Sequence, residues 1–431
     1  MMKNNYMKVC LLAMAMVPAS AYGPQAAAQE KMEVSLEQCQ EMALEHNPYI
    51  LNSQLEILAA QARKREAVAE YFPKVSVNAL AFYAFDPILE IGLTDIMGDN
   101  DFSNNLNSML EGYAQQYGFN TQYSTLKKGI TATVTAMQPI FAGGRIINGN
   151  RLAALGKEAA QLQHEIQLRT TSEDVEKGYW QVVSLEEKMK TLDQMQGLVD
   201  TLYRDVNAAV QAGLATENDL LQVKLKKNEI RSGKIRVRNG IRLAKMNLFN
   251  SIGLEYNPYS TIQNDSVPYI DDILLSDRLT DLSAPDAYYT PEEEAAARQT
   301  ESRLLDLSVR SKQLEKKMTV GETLPQIGVG ASYGYGNIID KGQMNGAVFA
   351  SIQIPLSDWG KTARKMQRYD YQIQKAENEK DFLNAQLILQ IRQLWMDLTA
   401  SWEQLLVARE SVGTAQASVY QLESYYRAGM S

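Results

Sequence analysis

Histidine, cysteine and proline are all scarce in this chain, and each shortage excludes something. Only two histidines, His46 and His164, occur in 431 residues. Neither has further ligands at metal-site spacing, and two histidines support no paired-histidine site or Ser-His-Asp constellation. No phosphate-cradling loop is present either, because Gly143-Gly144-Arg145 precedes a helical pattern without following a parallel-sheet strand. An enzyme is therefore not expected, and neither is a metal or a cofactor; His46, His164 and Cys39 read as structural residues.

The two cysteines are Cys10 and Cys39. Cys10 lies in an N-terminal segment where Lys3 and Lys8 precede the apolar run Val9 to Val17 and Ala26-Ala27-Ala28 offers a cleavage site. Residues 1–28 thus read as an export signal, since the run is about half of the roughly 20 residues that a spanning helix needs. That leaves Cys39 alone in the mature chain, so an exported protein here does without an internal disulfide. Net charge of −8 and a mean hydropathy of −0.30 argue against nucleic acid as a partner. No run after the signal resembles a transmembrane helix.

Proline is absent between Pro139 and Pro258 and again after Pro355. A proline inside a helix costs about 3 kcal/mol, so these gaps are where long helices can form. Leu152, Leu155, Ala159, Leu162 and Ile166 step by threes and fours, as do Ile391, Leu394, Leu398, Trp402 and Leu405, which places each set on one face. The two stretches are related. Pro139-Ile140-Phe141-Ala142-Gly143-Gly144-Arg145 lies over Pro355-Leu356-Ser357-Asp358-Trp359-Gly360-Lys361, 216 positions later, and Ala212-Gly213-Leu214 falls on Ala428-Gly429-Met430 at the same offset. Seventy helical residues would span roughly 105 Å, too long for a globular core, so each helix must lie against neighbours of similar length in a coiled coil or tube.

Ahead of each long helix the period changes to two. Val75, Val77, Ala79, Ala81 and Tyr83 alternate with Ser76, Asn78, Leu80 and Phe82; Thr131, Thr133 and Thr135 alternate with Ala132, Val134 and Ala136. In the second copy Ile327, Val329, Ala331, Tyr333 and Tyr335 alternate with glycine and serine, and Val348, Ala350, Ile352 and Ile354 with Phe349, Ser351 and Gln353. Strands of about ten residues suit a membrane β-barrel, with one face to lipid and one to a wet lumen. Four strands cannot close a barrel, since about eight is the smallest number that does, so the chain must oligomerise.

The expected organisation is a signal (1–28), a first repeat (29–250), a linking segment (251–291) and a second repeat (292–431). The first repeat holds helices within 35–72, strands 74–86 and 130–139, a long helix 142–212 and a return helix 216–250. The second holds a helix 292–323, strands 326–336 and 346–355 and a long helix 358–428, with no return helix. Ser35 with Gln38, and Asn47 before Pro48, read as helix starts, and Pro73 ends the helix before the first strand. Pro139 and Pro355 close the hairpins. Gly213 is the expected C-cap of the first long helix, with Thr216 and Asp219 opening the return helix. The bases of that return helix, among them Lys227, Lys234, Arg242 and Lys245, read as a solvated face. Residues 86–128 read as a surface loop holding a short helix near Phe102 to Tyr113.

With these landmarks placed, the chain resembles the TolC-like outer membrane efflux protein family over almost its whole mature length. The residues that carry the resemblance are Ala43 to Pro48, Pro73, Pro139 to Arg145 with Gly144, Pro355 to Lys361 with Gly360, and the two glycine turns. The resemblance implies a fold that is mainly α with membrane β, long helical hairpins forming a periplasmic α-barrel and four strands per chain entering a trimeric twelve-stranded barrel. It implies an exit duct for efflux or type I secretion, acting as a homotrimer in outer membrane lipid with a periplasmic adaptor and an inner-membrane pump. Docking is carried to Ala212, Gly213, Leu214, Arg427, Ala428, Gly429 and Met430, and Asp219 with Tyr426 to a polar lock at the tip. A structural or adhesive coiled-coil trimer is the alternative, which two hairpins inserted between helices fit less well than they fit a duct. Two departures stand out: Arg298 to Ser302 replaces the Asn-Pro helix start, and the sequence stops at Ser431, directly after the second glycine turn, which reads as truncation.

Overall fold

The computed structural model describes residues 32–86, 89–91, 93–118, 123–125, 128–259, 267–278, 282–337 and 342–427. The expected signal and the turn residues Ala428, Gly429 and Met430 lie outside these, and Tyr426 and Arg427 are described only as helix backbone. In chain order the elements are β1 (Met32–Val34), α1 (Leu36–His46), α2 (Pro48–Ala69), β2 (Lys74–Tyr83), β3 (Leu89–Ile91), α3 (Leu93–Met97), α4 (Asp101–Tyr117), β4 (Tyr123–Thr125) and β5 (Lys128–Ala142). They continue with α5 (Arg145–Gln211), α6 (Glu217–Ile252), β6 (Ile273–Leu275), α7 (Glu292–Arg298), α8 (Thr300–Gly321), β7 (Gln326–Asn337), β8 (Gln343–Gln353) and α9 (Lys361–Arg427). The chain is mostly helical with a few strands, and it divides into two compact units, Met1–Leu44 with Glu173–Leu279, and Glu45–Ser172 with Thr280–Ser431.

The first unit has the apolar core. Tyr179, Phe249, Leu248, Ile252, Ile270, Ile273, Leu275, Val34 and Cys39 are at most 2% exposed. Segment β1 pairs in parallel with β6, Met32 opposite Ile273 and Val34 opposite Leu275, a pairing the sequence reading did not foresee. Asp277 fixes it: its Oδ2 accepts from the Leu36 backbone N–H at 2.6 Å and from Tyr179 Oη at 2.9 Å, and Tyr179 Oη accepts from the Asp277 N–H at 3.0 Å. Burial pushes the Tyr179 phenol up to about 12 and the Cys39 thiol up to about 12, so both stay protonated at neutral pH.

In the same unit α6 packs against the C-terminal part of α5 through glycine notches. The α-carbons of Gly178, Gly233 and Gly240 face Leu248, Leu192 and Leu185. Each glycine lets a leucine of the other helix close in, and its helix-propensity penalty of roughly 1 kcal/mol is the cost of that approach. The basic residues of α6 are not all a solvated face. Lys227 pairs with Asp200 at 2.8 Å, Lys234 with Asp193 at 2.5 Å and Arg242 with Asp271 at 2.6 Å, while Lys245 is buried. Helical spacing placed these residues on α6; it held no information on which acids of α5 and of the linking segment would lie opposite.

The second unit holds an antiparallel sheet in the order β2-β5-β7-β8 and helices α2, α8 and α9. Asn47 caps α2, its side chain accepting from the Tyr49 N–H at 2.9 Å, with Pro48 at the first helical position. Asn150 Nδ2 donates to Ala67 O at 2.7 Å and Ser53 Oγ shares a 2.7 Å hydrogen bond with His164 Nδ1, tying α2 to α5. Helices α8 and α9 are joined by Lys380–Asp306, Lys365–Glu322 and Lys316–Asp370. Paired by position, α2 and α8 are each 22 residues long and α5 and α9 each 67.

Several expectations need correction. The expected strand 130–139 continues to Ala142, because Pro139 keeps its place opposite Gly328 and the pairing resumes at Phe141 after a bulge that leaves Ile140 out of register. The expected helix 292–323 is two helices, broken at Gln299, whose extended backbone (φ −69°, ψ 140°) does without the Asn-Pro pair used at the start of α2. The expected strand 74–86 stops at Tyr83. The loop that follows carries more structure than one short helix: the β3–β4 pair, α3, and α4 over Asp101–Tyr117, capped by Asn100 and closed by Gly118 at φ +72°.

Candidate functional site

Two places concentrate the functional expectations: the sheet in the second unit and the helix turn at Gly213 in the first. The sheet register sorts side chains into two chemically distinct faces. Val75, Val77, Ala79 and Ala81 of β2 lie opposite Ala136, Val134, Ala132 and Ile130 of β5. Those in turn lie opposite Ala331, Tyr333, Tyr335 and Asn337 of β7, and β8 adds Ile352, Ala350, Val348 and Met344. The other face carries Ser76 and Asn78, Thr131, Thr133 and Thr135, Ser332, and Asn345, Ser351 and Gln353, interleaved with Leu80, Phe82, Met137 and Phe349 and with Lys74 at its end. One face is thus mostly apolar and the other is mixed and gathers the hydroxyl and amide side chains, the asymmetry expected of a wall between lipid and water. Tyr83 lies at one end of the apolar face and Phe141 at the other, with Tyr333 and Tyr335 between them.

The aromatic residues on the sheet have partners. Phe82 lies opposite Gly129, Phe349 opposite Gly330 and Tyr333 opposite Gly346. A Cβ added to any of these glycines would come within 3.0 Å of the facing ring. Each ring is therefore folded over a bare backbone instead of projecting, the cross-strand arrangement that offsets the weakness of glycine in a strand. Among the glycines of β7, Gly330 owes its place to the ring of Phe349, whereas a Cβ on Gly334 would meet the backbone of Ala132 and Thr133.

The sheet has two open edges. Within the chain β2 and β8 each have one neighbour, and Val77 and Val348 are 71% and 87% exposed. Between the base of the sheet and the adjoining helices lies a cavity of about 680 Å³, lined by Lys74, Met137, Phe141, Arg145, Met318 and Gln353 among others.

The two Gly144 and Gly360 landmarks take left-handed φ values of +77° and +80°, each just before its long helix. Gly143 and its counterpart Trp359 are also left-handed, at +61° and +54°. Trp359 is 99% exposed. Asp358 caps α9, Oδ2 accepting from the Thr362 N–H at 2.7 Å and Oδ1 from the Gly360 N–H at 3.1 Å, and these bonds hold its carboxyl below the usual carboxylate range. Pro73 precedes β2 directly, and Pro355 lies just after β8.

At the turn, Gly213 (φ +77°) ends α5 in a Schellman arrangement: the Leu214 N–H donates to Ala209 O at 2.8 Å and the Gly213 N–H to Val210 O at 3.0 Å. Thr216 then opens α6 with a capping box shared with Asp219, whose Oδ2 accepts from the Thr216 N–H at 2.9 Å and from Thr216 Oγ1 at 2.7 Å. Those bonds hold the Asp219 carboxyl below its ordinary value. Leu214, 84% exposed, stands out at the bend with Ala212 and Gly213 beside it. The second half of the expected docking set, Arg427 to Met430, falls where the structure describes no side chains.

Higher on α6, Arg242 makes a bidentate pair with Asp271, and Tyr269 Oη accepts from Arg242 at 2.7 Å and donates to Asp271 at 3.0 Å. The guanidinium is the main reason that the Asp271 carboxyl lies below 3.8. A carboxyl lowered on folding contributes stability above its unfolded value and loses it as pH falls through the folded one. Asp271→Asn is therefore expected to flatten the loss of thermal stability below pH 3.8, measured as the helical circular-dichroism midpoint of both proteins against pH. Parallel curves would remove the pair from the acid response.

No family model matches the chain, and no curated protein sequence matches it significantly. Solved structures do. The outer membrane protein VceC of Vibrio cholerae is 15% identical over 92% of this chain and 86% of its own, with a TM-score of 0.66. The CmeC outer membrane channel of Campylobacter jejuni is 12% identical over 97% and 86%, TM-score 0.68. The open state of the MtrE outer membrane channel of Neisseria gonorrhoeae is 15% identical over 91% and 79%, TM-score 0.62. The chain has the fold of the TolC-like outer membrane efflux channels.

Proposed function

We propose that the chain is one protomer of an outer membrane exit duct, a homotrimer in which three four-stranded sheets share one twelve-stranded barrel continued by a periplasmic tube of helices. The observation that carries this reading is the sheet with one mostly apolar face, one face that gathers the polar side chains, and two open edges. A monomer with such edges would leave strand backbone unpaired in lipid, where each unpaired group costs several kcal/mol, and head-to-tail closure removes every edge. Transport through the duct is passive, driven by an inner-membrane pump through a periplasmic adaptor that docks at Ala212, Gly213 and Leu214 and at the second turn, Arg427 to Met430. The duct serves efflux or type I secretion.

The test is the native mass of the mature protein, extracted from outer membranes in mild detergent and measured before and after heating, with the same sample examined in a planar lipid bilayer. A species of three chains that dissociates on heating and conducts ions is expected. A monomer would overturn the shared barrel; a trimer that never conducts would favour an adhesive or structural coiled coil.

Asp219 belongs to this reading as part of a polar lock at the tip, with Tyr426. Because it also caps α6, two substitutions separate the roles. Asp219→Ala is expected to raise passive leakage of large antibiotics several-fold in whole cells. Asp219→Asn keeps an acceptor for the Thr216 N–H and removes the charge. Leakage in both variants assigns the effect to charge, leakage in alanine alone assigns it to the cap, and leakage in neither removes Asp219 from the lock.

A further inference from the structure

We propose that β8 of one copy pairs with β2 of the next in the register that β5 and β7 keep within a single chain, which sets Ala350 opposite Ala81 of the partner subunit and Asp358 opposite Lys74 of the partner subunit. This rests on the shared-barrel reading above and adds the register to it.

The in-chain seam supplies the template. Helices α2 and α8 have equal length, ending at Ala69 and Gly321, and β2 and β7 start the same distance beyond, at Lys74 and Gln326. Strand β2 therefore stands for β7, and by the proline landmarks Pro139 and Pro355, β8 stands for β5. Within the chain Val134 lies opposite Tyr333, Ala136 opposite Ala331 and Ala142 opposite Gln326. Transposed, these become Ala350 opposite Ala81, Ile352 opposite Ala79 and Asp358 opposite Lys74 of the partner subunit. The directions agree, because every neighbouring pair in the sheet is antiparallel and a returning β2 runs antiparallel to β8.

Two observations independent of the transposition agree with this register. First, it joins like faces: Val348 and Ile352 of β8, and Ile354 just after it, meet Tyr83 of the partner subunit, Ala79 of the partner subunit and Val77 of the partner subunit, while Gln353 meets Asn78 of the partner subunit. A slip of one residue would turn the apolar set of one strand to the polar face of the other. Second, it brings opposite charges together at the end of the ladder, where the transposed in-chain pair, Ala142 and Gln326, carries none. The Lys74 side chain is 66% exposed and pairs with Glu70 of its own chain at 2.8 Å, and the Asp358 carboxyl is held ionised by its bonds to Thr362 and Gly360.

The template fails at one point, and the failure is informative. A Cβ on Gly143 would lie 2.1 Å from Gly321 O, yet the transposed residues are Trp359 and Ala69 of the partner subunit, both with side chains. The seam between copies must therefore stand wider than the in-chain seam where the helices begin, and the exposed indole of Trp359 is placed to fill that wedge.

Cysteine pairs read the register directly. Residues opposite each other in an antiparallel ladder have Cα atoms about 4.5–5.5 Å apart, within disulfide range, whereas diagonal neighbours are about 7–8 Å apart. Full-length protein with Ala81→Cys and Ala350→Cys, oxidised in isolated outer membranes, is expected to run as covalent dimer and trimer that collapse to monomer on reduction. Protein with Ala79→Cys and Ala350→Cys should remain uncross-linked. The wild type is the blank, its Cys39 being wholly buried. Cross-linking of the offset pair instead, or of neither pair in a protein whose native mass is trimeric, would overturn the register and leave the duct standing. A monomeric native mass would overturn both.

Discussion

Gly143→Ala is expected to destabilise the protein by about 3 kcal/mol or more, against about 1 kcal/mol for Gly144→Ala one residue later. Both glycines are left-handed, at φ +61° and +77°, so the conformational penalty of a side chain is similar at the two sites. The surroundings differ. A Cβ at Gly144 meets nothing nearer than Asn148 Nδ2 at 3.7 Å, whereas at Gly143 it would lie 2.1 Å from Gly321 O and 2.9 Å from its carbonyl carbon. Backbone of α8 cannot yield there without dragging β7, which begins five residues on. Gly321→Ala isolates the collision alone, since Gly321 has no left-handed φ and its Cβ would lie 2.5 Å from Gly143 O. The double variant should cost less than the sum, because one enforced separation relieves both clashes. Thermal midpoints of the helical circular-dichroism signal, at constant detergent, measure all four proteins. Equal shifts for Gly143→Ala and Gly144→Ala would mean that the close crossing does not bear on stability.

That crossing shows what a sequence can and cannot reveal. The glycine pair was visible as a landmark because Gly144 recurs as Gly360; the contact partner Gly321 was invisible, since nothing in the spacing of α8 says which backbone will approach it. Elements with a long, uninterrupted period were legible for the same reason. Absence of proline and steady steps of three and four place α5 and α9 to within a few residues, and the turn at Gly213, Thr216 and Asp219 uses capping chemistry local to the chain. The strands were legible from alternation, but their ends were not: Pro139 looks like a stop, yet it pairs within β5, ahead of a bulge that depends on the partner strand. The least legible part was the linking segment and β1, where Met32–Val34, ahead of α1, pairs with three residues beyond α6. Such short, distant pairing leaves no periodic trace. The basic run of α6 misled for a related reason, since charge on a helix reads as solvated until the facing acids are placed.

Lys245 is the sharpest case, and Lys245→Met is expected to cost about 3 kcal/mol. The residue is 3% exposed, and its Nζ donates to Ile273 O at 2.6 Å while Glu186 Oε1 stands farther off, at 3.4 Å. Ile273 is fully buried in the β1–β6 pair, so its carbonyl would lose this donor with no water to replace it. Glu186, at 20% side-chain exposure, retains some access to solvent. The distances thus assign most of the cost to the carbonyl and less to the stranded carboxylate. Glu186→Gln alone should accordingly cost under about 1 kcal/mol, and adding it to Lys245→Met should recover only part of the loss. Denaturant midpoints of the helical signal for the two single variants and the double variant close the cycle. Full recovery in the double variant would show instead that an unpaired carboxylate dominates. In that case the bond that joins α6 to β6 would be incidental, and the stability of the segment would lie in its apolar residues alone.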